Sequence, residues 1–429
     1  MKVAIIYPEV YDIARFGRKR KEFTPFGVLY LATILNLQSG VEVEIFAVES
    51  KNDFLDLTEF DVVAFSIPSS VTYSIVKAVR FSSFYSKNAL IIAGGVHPTI
   101  FPEETLLDLK VDAVGHGQGD ETILELLQEK RKRNFSRVKG LCYRENGNMV
   151  LTSQRPLKKT LDHLPIIPNR NLLPDPEFIL NDRLSNTNHR MTHIMISQGC
   201  PFSCNFCASQ QRYLQYRSGW HVFEELKYLK ETYNIEGFAE VGDNFLVNKR
   251  NVYDICEAIN PLGLEWSTLS RVDTVDYDLL ETMHESGCIE IKFGIESGSE
   301  LILKKMGKGI SLNQIYNAVK MTYASGIKVK VFIIHGFPGE NHETTQETLN
   351  LLDDLSGMIE RISLFRFVPL PGSRVYEKGG EYNLNLEGDV WEKCHIHHNR
   401  NHWWGTEDDF RIVESSCRRL EEFVRKKWG

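Results

Sequence analysis

The chain has 429 residues, of which 42% are apolar and 25% are charged, and its formal net charge is −7. This length predicts two large domains, and the mild acidity gives no support to a nucleic-acid partner or an anionic membrane partner. The N-terminal stretch MKVAIIYPEVYD turns polar too early for the core of a signal peptide, and no later apolar run approaches the ~18 residues of a membrane span. We therefore expect a cytoplasmic protein.

The first part of the chain alternates segments typical of strands with segments typical of helices. Short β-branched runs lie at 2–7, 41–48, 61–67, 89–93 and 111–115. Between them, apolar residues recur three and four positions apart, as on one face of a helix. This alternation predicts an α/β fold with a doubly wound, Rossmann-like parallel sheet. Two short runs around Asn146-Gly147 predict a type I′ hairpin that closes the domain.

Small and polar residues follow the predicted strands of this sheet. In doubly wound folds, ligands bind beyond the carboxyl ends of the strands, where glycines allow close approach of the backbone. Glycine turns also follow strands in proteins without a ligand there, so the spacing alone leaves both interpretations open. The candidate ligand-binding residues are Ser66, Ser69, Gly94, Gly95, His97, Gly117 and Gly119.

A second group of strand-like runs lies in the second half of the chain. The segment before it is rich in proline, which cannot sustain a helix. Six runs, each followed by a helical or loop segment, lie at 193–197, 236–241, 264–268, 288–295, 328–335 and 361–367. Six βα units predict a partial (βα)6 barrel, short of the eight strands of a closed one. The predicted boundaries are 1–155 for the first domain, 156–188 for a linker, 189–372 for the barrel and 373–429 for a C-terminal segment.

Three cysteines cluster in SQGCPFSCNFCAS, which follows the first barrel strand. Cys200, Cys204 and Cys207 have the spacing C-x3-C-x2-C, and a structural zinc site usually needs four protein ligands. Three thiolates suit a 4Fe-4S cluster whose fourth iron stays open. Zinc or an electron-transfer cluster remains an alternative if a fourth ligand comes from Cys142, Cys256, Cys288, Cys394 or Cys417.

This cysteine spacing resembles that of the radical S-adenosylmethionine (SAM) superfamily. Segments after the later barrel strands resemble that family in the same order: AEVGDNFLVN, TLSRVDTVD, IKFGIESGSELIL, FIIHGFPGENHET and RFVPLPGSRVYE. The resemblance implies that the cluster binds SAM through its open iron. One electron from a flavodoxin or ferredoxin would then cleave SAM to a 5′-deoxyadenosyl radical, which abstracts hydrogen from an unactivated carbon.

The first domain has a resemblance of its own. The segments TPFGVLYLATIL, GGVHPTIFPEE and VDAVGHGQGDETILELL are similar to the cobalamin-binding domain of the cobalamin-dependent radical SAM enzymes. This resemblance assigns the seven candidate residues of the first domain to cobalamin. The chain has Gln118 and Asp120 where many relatives have glutamates, and the D-x-H-x-x-G motif that supplies a lower axial histidine is absent. Some members keep the domain without using cobalamin.

The resemblance also implies candidate SAM-binding residues in the barrel. A carboxylate at Glu296 could accept hydrogen bonds from the ribose hydroxyls. Asp243 or Glu240 could meet the SAM amino group, and Arg271 could pair with the SAM carboxylate or with Glu296. Phe206, with Phe202, could desolvate the cluster and the adenine. Ordinary packing, a structural cap or a salt bridge is the alternative for each of these residues.

The family resemblance implies methyl transfer through methylcobalamin to a small molecule, with two SAM consumed per turnover. Two alternatives stay open. The first is a radical SAM lyase or isomerase with a vestigial cobalamin domain, which would catalyse a dehydration, deoxygenation, epimerisation or rearrangement. The second is an iron-sulfur or zinc scaffold without enzymatic activity, which would not cleave SAM.

The C-terminal segment is dense in histidine and tryptophan. Cys394, His395, His397 and His398 could form a second metal site, although histidines on such a run often face solvent. In relatives, a tail here commonly covers the barrel opening. We therefore also consider Cys394 as a radical-quenching catalytic residue, and Trp403 and Trp404 as caps of the barrel mouth.

Overall fold

The computed structural model describes residues 1–9, 11–12, 20–21, 24–130, 134–174, 189–209, 213–386, 390–394 and 400–429. The chain divides into two units. The first contains Met1–Lys159 with His163–Ile179, and the second contains Thr160–Asp162 with Leu180–Gly429. The predicted boundaries at residues 155, 188 and 372 stay predictions.

The first unit is built on a seven-stranded sheet. Its strands are β1 Lys2–Pro8, β2 Glu42–Val48, β3 Val62–Ser66, β4 Leu90–Gly94, β5 Ala113–Gly115, β6 Leu141–Glu145 and β7 Asn148–Leu151. Their order in the sheet is β7-β6-β5-β4-β3-β1-β2. The first five are parallel, and β6 and β7 add an antiparallel hairpin whose turn residues, Asn146 and Gly147, both have positive φ. The order 2-1-3-4-5 is that of a doubly wound sheet, as predicted.

Apolar strands and helices explain the core of this unit. Val3, Ala4, Ile5 and Ile6 are buried in succession, as expected for a parallel strand that is covered on both faces. The helices are α1 Phe26–Asn36, α2 Tyr73–Ser82, α3 Val96–Ile100, α4 Pro102–Leu109 and α5 Asp120–Glu129. Short 3-10 turns lie at Ser70–Thr72, Phe135–Arg137 and Arg170–Leu172. Two-residue ladders pair Tyr11–Asp12 with Arg20–Lys21 and Asp56–Leu57 with Phe84–Tyr85.

The second unit is built on six parallel strands. They are β8 Met191–Ile194, β9 Gly237–Glu240, β10 Glu265–Ser270, β11 Cys288–Glu296, β12 Lys328–His335 and β13 Arg361–Arg366, and each pairs with the next. The sequential parallel order is that of a partial (βα)6 barrel, as predicted. A two-residue antiparallel ladder joins Ser197–Gln198 to Gln215–Tyr216, on either side of the cysteine motif.

Helices cover one face of this sheet. The helices that contribute to the core on that face are α6 Gly219–Tyr233, α7 Lys249–Ile259, α8 Tyr277–Glu285, α9 Glu300–Lys305, α10 Leu312–Ala324, α11 His342–Asp354 and, after the short α12 Arg374–Glu377 and α13 Val390–Lys393, α14 Glu407–Trp428. The 3-10 turns are Phe245–Val247, Asn260–Leu262, Val272–Thr274 and Gly379–Tyr382. A continuous apolar core includes strand residues such as Trp266, Phe293 and Val331 and helix residues such as Leu226 and Leu352. Because the six strands are parallel, their carboxyl ends lie along one edge of the sheet, and the apolar core packs against the strands.

The C-terminal helix α14 joins this helical layer. Ser416 Oγ lies 3.0 Å from Nδ1 of His342 at the start of α11, and Trp428 Nε1 donates to the Ile359 carbonyl at 2.8 Å. Trp403 is buried, and Trp404 Nε1 donates to the carbonyl of Gly336, directly after β12, at 2.8 Å. The tail thus reaches the carboxyl edge of the sheet at Trp404. In the part of the chain that the structure describes, no helix has the length and apolarity needed to cross a membrane.

Candidate active site

The three cysteines lie on the loop that follows β8, at the carboxyl edge of the second sheet. Gly199, directly before Cys200, has φ +91°, and its N–H donates to Asp243 Oδ2 at 2.7 Å. Asp243 follows β9, the neighbouring strand. The start of the cysteine loop is therefore fixed by the next loop along the sheet.

Asn205 fixes the middle of the cysteine loop. Its backbone N–H donates to the Met306 carbonyl at 2.8 Å, and its Nδ2 donates to the Lys305 carbonyl at 2.9 Å. Its own carbonyl accepts from Val375 N–H at 2.9 Å. Gly307 has φ +62°, and a side chain there would crowd Asn205, with an added Cβ at 3.0 Å. Three hydrogen bonds to two other segments thus hold the middle of the loop.

Hydrogen-bond donors approach each of the three sulfurs. Asn244 Nδ2 lies 3.9 Å from Cys200 Sγ, Arg271 Nη1 lies 3.6 Å from Cys204 Sγ, and the Ser209 N–H donates to Cys207 Sγ at 3.4 Å. Such donors stabilise anionic sulfur and tune the potential of an iron-sulfur cluster.

The donor set of this loop, three thiolates from one short segment, suits a 4Fe-4S cluster, in which three irons each take one cysteine. Burial raises the pKa of Cys207, and the charges of Cys204 and Cys200 raise it further. The positive charge of a bound metal centre would stabilise the thiolate form and offset the repulsion between neighbouring thiolates.

The Arg271 guanidinium contacts Cys204 on the cysteine loop and pairs with Asp273, two residues along the chain. Its Nε and Nη2 donate to the two carboxylate oxygens of Asp273 at 2.8 and 2.9 Å, and Nη2 also donates to the Lys308 carbonyl at 2.8 Å. The guanidinium carbon lies 3.8 Å from the centroid of the Phe202 ring. The structure therefore places Arg271 beside Cys204 and Asp273, and no bond joins it to the Glu296 carboxylate.

Glu296 ends β11 in a strained conformation. Its φ is +62°, which is uncommon for a residue with a side chain, and the pairing with β12 shifts register there. Its Oε1 accepts from Lys308 Nζ at 2.8 Å, and both side chains are more than nine-tenths buried. Lys308 Nζ also lies 5.8 Å from the centroid of the Phe206 ring. Glu296, Phe206 and the cysteines thus meet at one edge.

Glu240 is buried and holds three elements together. Its Oε1 accepts from Gly242 N–H at 2.8 Å and from Ser197 Oγ at 3.1 Å, and its Oε2 accepts from Thr268 Oγ1 at 3.0 Å. Burial raises its pKa to about 7, although these hydrogen bonds act in the opposite direction. These bonds brace the loop that leads to the cysteines.

Cys394 is fully buried. Its Sγ lies 3.7 Å from the carbonyl of Pro369, three residues beyond β13, and burial raises the pKa of its thiol to about 12. Cys394 therefore remains a neutral thiol near the carboxyl end of β13, and its catalytic role stays a prediction. His395, His397 and His398 lie outside the described residues.

In the first unit, the predicted cobalamin residues gather at the carboxyl ends of β3, β4 and β5. Ser66 and Gly94 are register partners across β3 and β4. Thr99 Oγ1 donates to the Gly95 carbonyl at 2.7 Å and accepts from Gly117 N–H at 3.0 Å, which ties two of the loops together.

The glycines at this edge leave room for a ligand. An added Cβ at Gly94 or Gly117 would meet nothing within 4 Å, so both face open space. Gly95 has φ +118°, and a Cβ there would lie 2.6 Å from the Ile67 carbonyl oxygen, so only glycine fits. The open edge fits the approach of a bulky cofactor to the backbone.

Of the remaining predicted residues of this edge, His97 is buried, whereas Ser69 and Gly119 are partly exposed. The Nδ1 of His97 lies 3.0 Å from Ser70 Oγ, and burial lowers the pKa of this histidine to about 4. Ser69 Oγ lies 3.5 Å from Thr72 Oγ1, and a Cβ on Gly119 would touch Leu31 at 3.6 Å. Their binding roles stay predictions.

Three further residues of the barrel site are not predictable from the sequence alone. Lys308 pairs with Glu296, Asp273 holds Arg271, and Asn244 approaches Cys200 while it accepts a hydrogen bond from Ser270 Oγ at 2.7 Å. Asp273 and Asn244 stand within segments that resemble the family, next to residues that were named. Lys308 lies 12 positions after Glu296, and no local pattern links the two.

Comparisons with known proteins agree with this geometry. The chain matches the family models of the Radical SAM superfamily over residues 194–352 and of the B12 binding domain over residues 18–127. An uncharacterized methyltransferase of Pyrococcus horikoshii is 32% identical over 385 residues, which cover 86% of this chain and 81% of the relative. The chain belongs to the radical SAM enzymes with a B12-binding domain.

Two further similar proteins are named for different reactions, a cyclisation and a methyl transfer. An anaerobic magnesium-protoporphyrin IX monomethyl ester cyclase of Rubrivivax gelatinosus is 23% identical over 404 residues, or 89% of this chain and 70% of the relative. The solved structure of TsrM from Kitasatospora setae, a radical SAM methyltransferase with cobalamin and a [4Fe-4S] cluster bound, shares the fold of this radical SAM enzyme. Its TM-score is 0.72 at 14% identity, with 98% of this chain and 89% of TsrM covered.

The family membership confirms several predictions from the sequence. This radical SAM enzyme has the predicted α/β fold, and its family uses a 4Fe-4S cluster, SAM and cobalamin. The prediction of a cobalamin-dependent radical SAM enzyme of the methyltransferase type is confirmed at the level of the family. The roles of individual residues, including those of the three cysteines, stay predictions.

Proposed function

We propose that this radical SAM enzyme transfers a methyl group from SAM to an unactivated carbon of a small molecule. The observation that carries the proposal is the presence in one chain of a braced three-cysteine loop and an open, glycine-lined sheet edge. The relative in Pyrococcus horikoshii, which is named as a methyltransferase, supports the same reaction class. One SAM would serve as the methyl source and a second as the source of the radical.

The side chains of the barrel would bind and orient the reactants. When bound, the cluster and cobalamin supply reductive cleavage of SAM and carriage of the methyl group, which no side chain can perform. Cys200, Cys204 and Cys207 would hold the cluster, and the N–H donors of Asn244 and Arg271 would stabilise its sulfur ligands. Glu296 would accept hydrogen bonds from the ribose hydroxyls of SAM.

Two more groups would complete the SAM site. Asp243 is exposed at the carboxyl edge and could meet the amino group of SAM while one of its oxygens holds Gly199. Phe202 and Phe206 would exclude water, since their rings pack near the Arg271 guanidinium and the Lys308 ammonium. Glu240 would brace the loop rather than contact SAM, because its oxygens already accept bonds from Ser197, Gly242 and Thr268.

The chemistry also requires an electron source and a reducing compartment. We propose a flavodoxin or ferredoxin as the one-electron donor and a cytoplasmic location, where thiols stay reduced. The eight cysteines are all free thiols in the structure, which agrees with such a compartment.

A second candidate function is an elimination, cyclisation or rearrangement without methyl transfer. The relative in Rubrivivax gelatinosus favours it, because that protein is named as a cyclase. This alternative would use the same cysteine loop and the same cleavage of SAM. It would release 5′-deoxyadenosine and would form no S-adenosylhomocysteine.

The products of SAM separate the two functions. We would reconstitute the full chain without oxygen, load it with cobalamin, reduce it with titanium(III) citrate and add SAM labelled with a CD3 group. Methyl transfer predicts both S-adenosylhomocysteine and 5′-deoxyadenosine, and the second candidate predicts the nucleoside alone. A Cys204→Ala variant should lose 5′-deoxyadenosine, whereas Cys256→Ala, a change at a buried core thiol, should keep it. Release of 5′-deoxyadenosine by Cys204→Ala would refute the cluster assignment.

A further inference from the structure

Glu296 lies at the centre of a tight turn at the end of β11. The Ser297 N–H donates to the Ile295 carbonyl at 2.8 Å, and this bond closes a three-residue turn around Glu296. With φ +62° at its central residue, the turn belongs to the rare, strained class of γ-turns. A conformation of this kind persists only where the surrounding structure holds it in place.

One hydroxyl group of helix α11 holds the loop that follows this turn. Thr348 Oγ1 accepts a hydrogen bond from the Gly298 N–H at 2.9 Å and lies 3.3 Å from Ser297 Oγ. The Thr348 hydroxyl donates its own hydrogen to the Thr344 carbonyl, 3.2 Å away in the preceding turn of α11. Ser297 Oγ therefore donates to Thr348, and it accepts from the Ser299 N–H at 3.1 Å. These hydrogen bonds connect the loop to α11 as one network.

The loop and the helix pack closely at Gly298. A Cβ added there would lie 2.5 Å from the Thr348 Cα and 2.9 Å from the Glu347 carbonyl oxygen, so only glycine allows this approach. Ser297, Ser299 and Thr348 are buried, with at most 1% of each residue exposed. Because these groups are removed from bulk water, solvent does not replace the hydrogen bonds to Thr348.

Two supports therefore meet at Glu296. Lys308 holds its carboxylate, and Thr348 holds the backbone that follows it. Loss of the Thr348 hydroxyl would leave the Gly298 N–H buried without its acceptor, which is costly. The loop would move to satisfy that N–H, and the strained turn would relax with it. The Glu296 carboxylate would then change its position, although β11 and α11 themselves would remain.

We propose that Thr348 is a positioning residue for SAM, which fixes the Glu296 carboxylate where it accepts hydrogen bonds from the ribose hydroxyls. The inference rests on the proposed function, because it takes Glu296 as the ribose-binding residue of the barrel. Hydrogen bonds to a carboxylate are directional, so a small displacement of Glu296 weakens its bonds to both hydroxyls. Thr348 acts on SAM only through the loop and Glu296.

Binding of SAM to the reconstituted full-length enzyme tests this role. Equilibrium dialysis with radiolabelled SAM, without a reductant so that SAM stays intact, gives the dissociation constant. A second ligand, a radiolabelled SAM analogue that lacks both ribose hydroxyls, reports the binding that does not use them. We expect Thr348→Val to weaken binding of SAM by about 10-fold and to leave binding of the analogue within about 2-fold of the wild-type value.

Matched variants separate positioning from general packing. Thr348→Ser keeps the hydroxyl and should bind SAM within about 2-fold of the wild-type value. Thr348→Ala removes the hydroxyl without placing a new methyl group against the loop, and it should show the same selective loss as Thr348→Val. Thr345→Val is the control, because Thr345 is a buried residue of α11 whose Oγ1 has no hydrogen-bond partner among the described residues. It should bind SAM as the wild type does.

Three results would overturn the proposal. The first is binding of SAM that Thr348→Val leaves unchanged. The second is an equal loss of affinity for SAM and for the analogue in this variant, which would indicate a general loosening of the fold. The third is a wild type that binds both ligands equally, which would also refute ribose recognition by Glu296. Because no SAM is cleaved in the dialysis, these outcomes are distinct from a failure of methyl transfer.

Discussion

At the scale of single residues, the Glu296–Lys308 pair is the most informative contact of the barrel site. Glu296 was identified from its place in a family motif, and its positive φ adds a strain that surrounding structure must offset. Lys308 supplies part of that support through a buried hydrogen bond of 2.8 Å. Since a buried carboxylate without its partner is costly, the pair is a unit rather than two independent residues.

Replacement of Lys308 should therefore destabilise the second unit. We expect Lys308→Met to leave the Glu296 carboxylate uncompensated at a cost of ~3 kcal/mol or more. In a unit of this size, the melting temperature should fall by roughly 5–10 °C. Differential scanning calorimetry of the SAM-free protein measures this change.

Lys304→Met provides the matched control for that experiment. Lys304 is an exposed residue of α9, and its replacement should leave the melting temperature within about 2 °C of the wild-type value. Equal losses in both variants would contradict the role assigned to the ion pair.

At the scale of elements, Glu240 connects β9 to β10 and to the loop after β8. Its carboxylate accepts hydrogen bonds from Ser197, Gly242 and Thr268, and the contact with SAM that the family resemblance implies stays a prediction. No pattern in the sequence reveals these bonds, since the partners come from three separate segments. These hydrogen bonds fix the start of the cysteine loop relative to β9 and β10. The position of the cysteines therefore depends on how these elements are joined.

The raised pKa of Glu240 predicts how stability changes with pH. Its folded value of about 7 lies above the ordinary value of 4.5, so the folded protein retains a proton that the unfolded chain releases. The free energy of unfolding should therefore fall as the pH rises from about 4.5 to about 7, by at most ~1.4 kcal/mol per pH unit from this group. Glu340, buried with a pKa also raised to about 7, adds to the same trend.

A Glu240→Gln variant isolates the contribution of this one carboxyl group. Glutamine keeps an acceptor for Ser197 and Gly242 and cannot ionise. Between pH 5 and pH 8, the variant should lose less stability than the wild type, with a difference of about 2–4 kcal/mol. Urea denaturation at several pH values measures it, with Glu257→Gln on the exposed side of α7 as the control. Parallel pH profiles of Glu240→Gln and the wild type would contradict the buried, protonated state.

Most elements were predictable because their signals are local. The β-branched runs located all eleven parallel strands to within a few residues, and the positive φ that Asn146-Gly147 favours located the hairpin. The path of the C-terminal helix was not predictable. This helix packs beside α11 through contacts such as Ser416 with His342. Such tertiary contacts leave no periodic signal in either segment. That the C-terminal segment covers the barrel opening stays a prediction.

At the scale of the whole molecule, the two units carry complementary chemistry in one chain. The cysteine motif and the glycine-rich sheet edge were both identified from spacing and family resemblance. The residues that position these two features, such as Asn205, Asp273 and Thr99, were not identified from the sequence. Their roles depend on hydrogen bonds that form only in the folded structure. Sequence thus predicts the cofactors better than it predicts the residues that position them.

The measurement that tests the central claim most directly is the amount of corrinoid retained by the reconstituted protein. The full chain would be supplied with iron, sulfide and excess hydroxocobalamin without oxygen, and its absorbance would be read after gel filtration. Methyl transfer through cobalamin predicts about one equivalent of corrinoid per chain, together with an intact 4Fe-4S cluster. An intact cluster without retained corrinoid would contradict it and would leave radical elimination or rearrangement as the function.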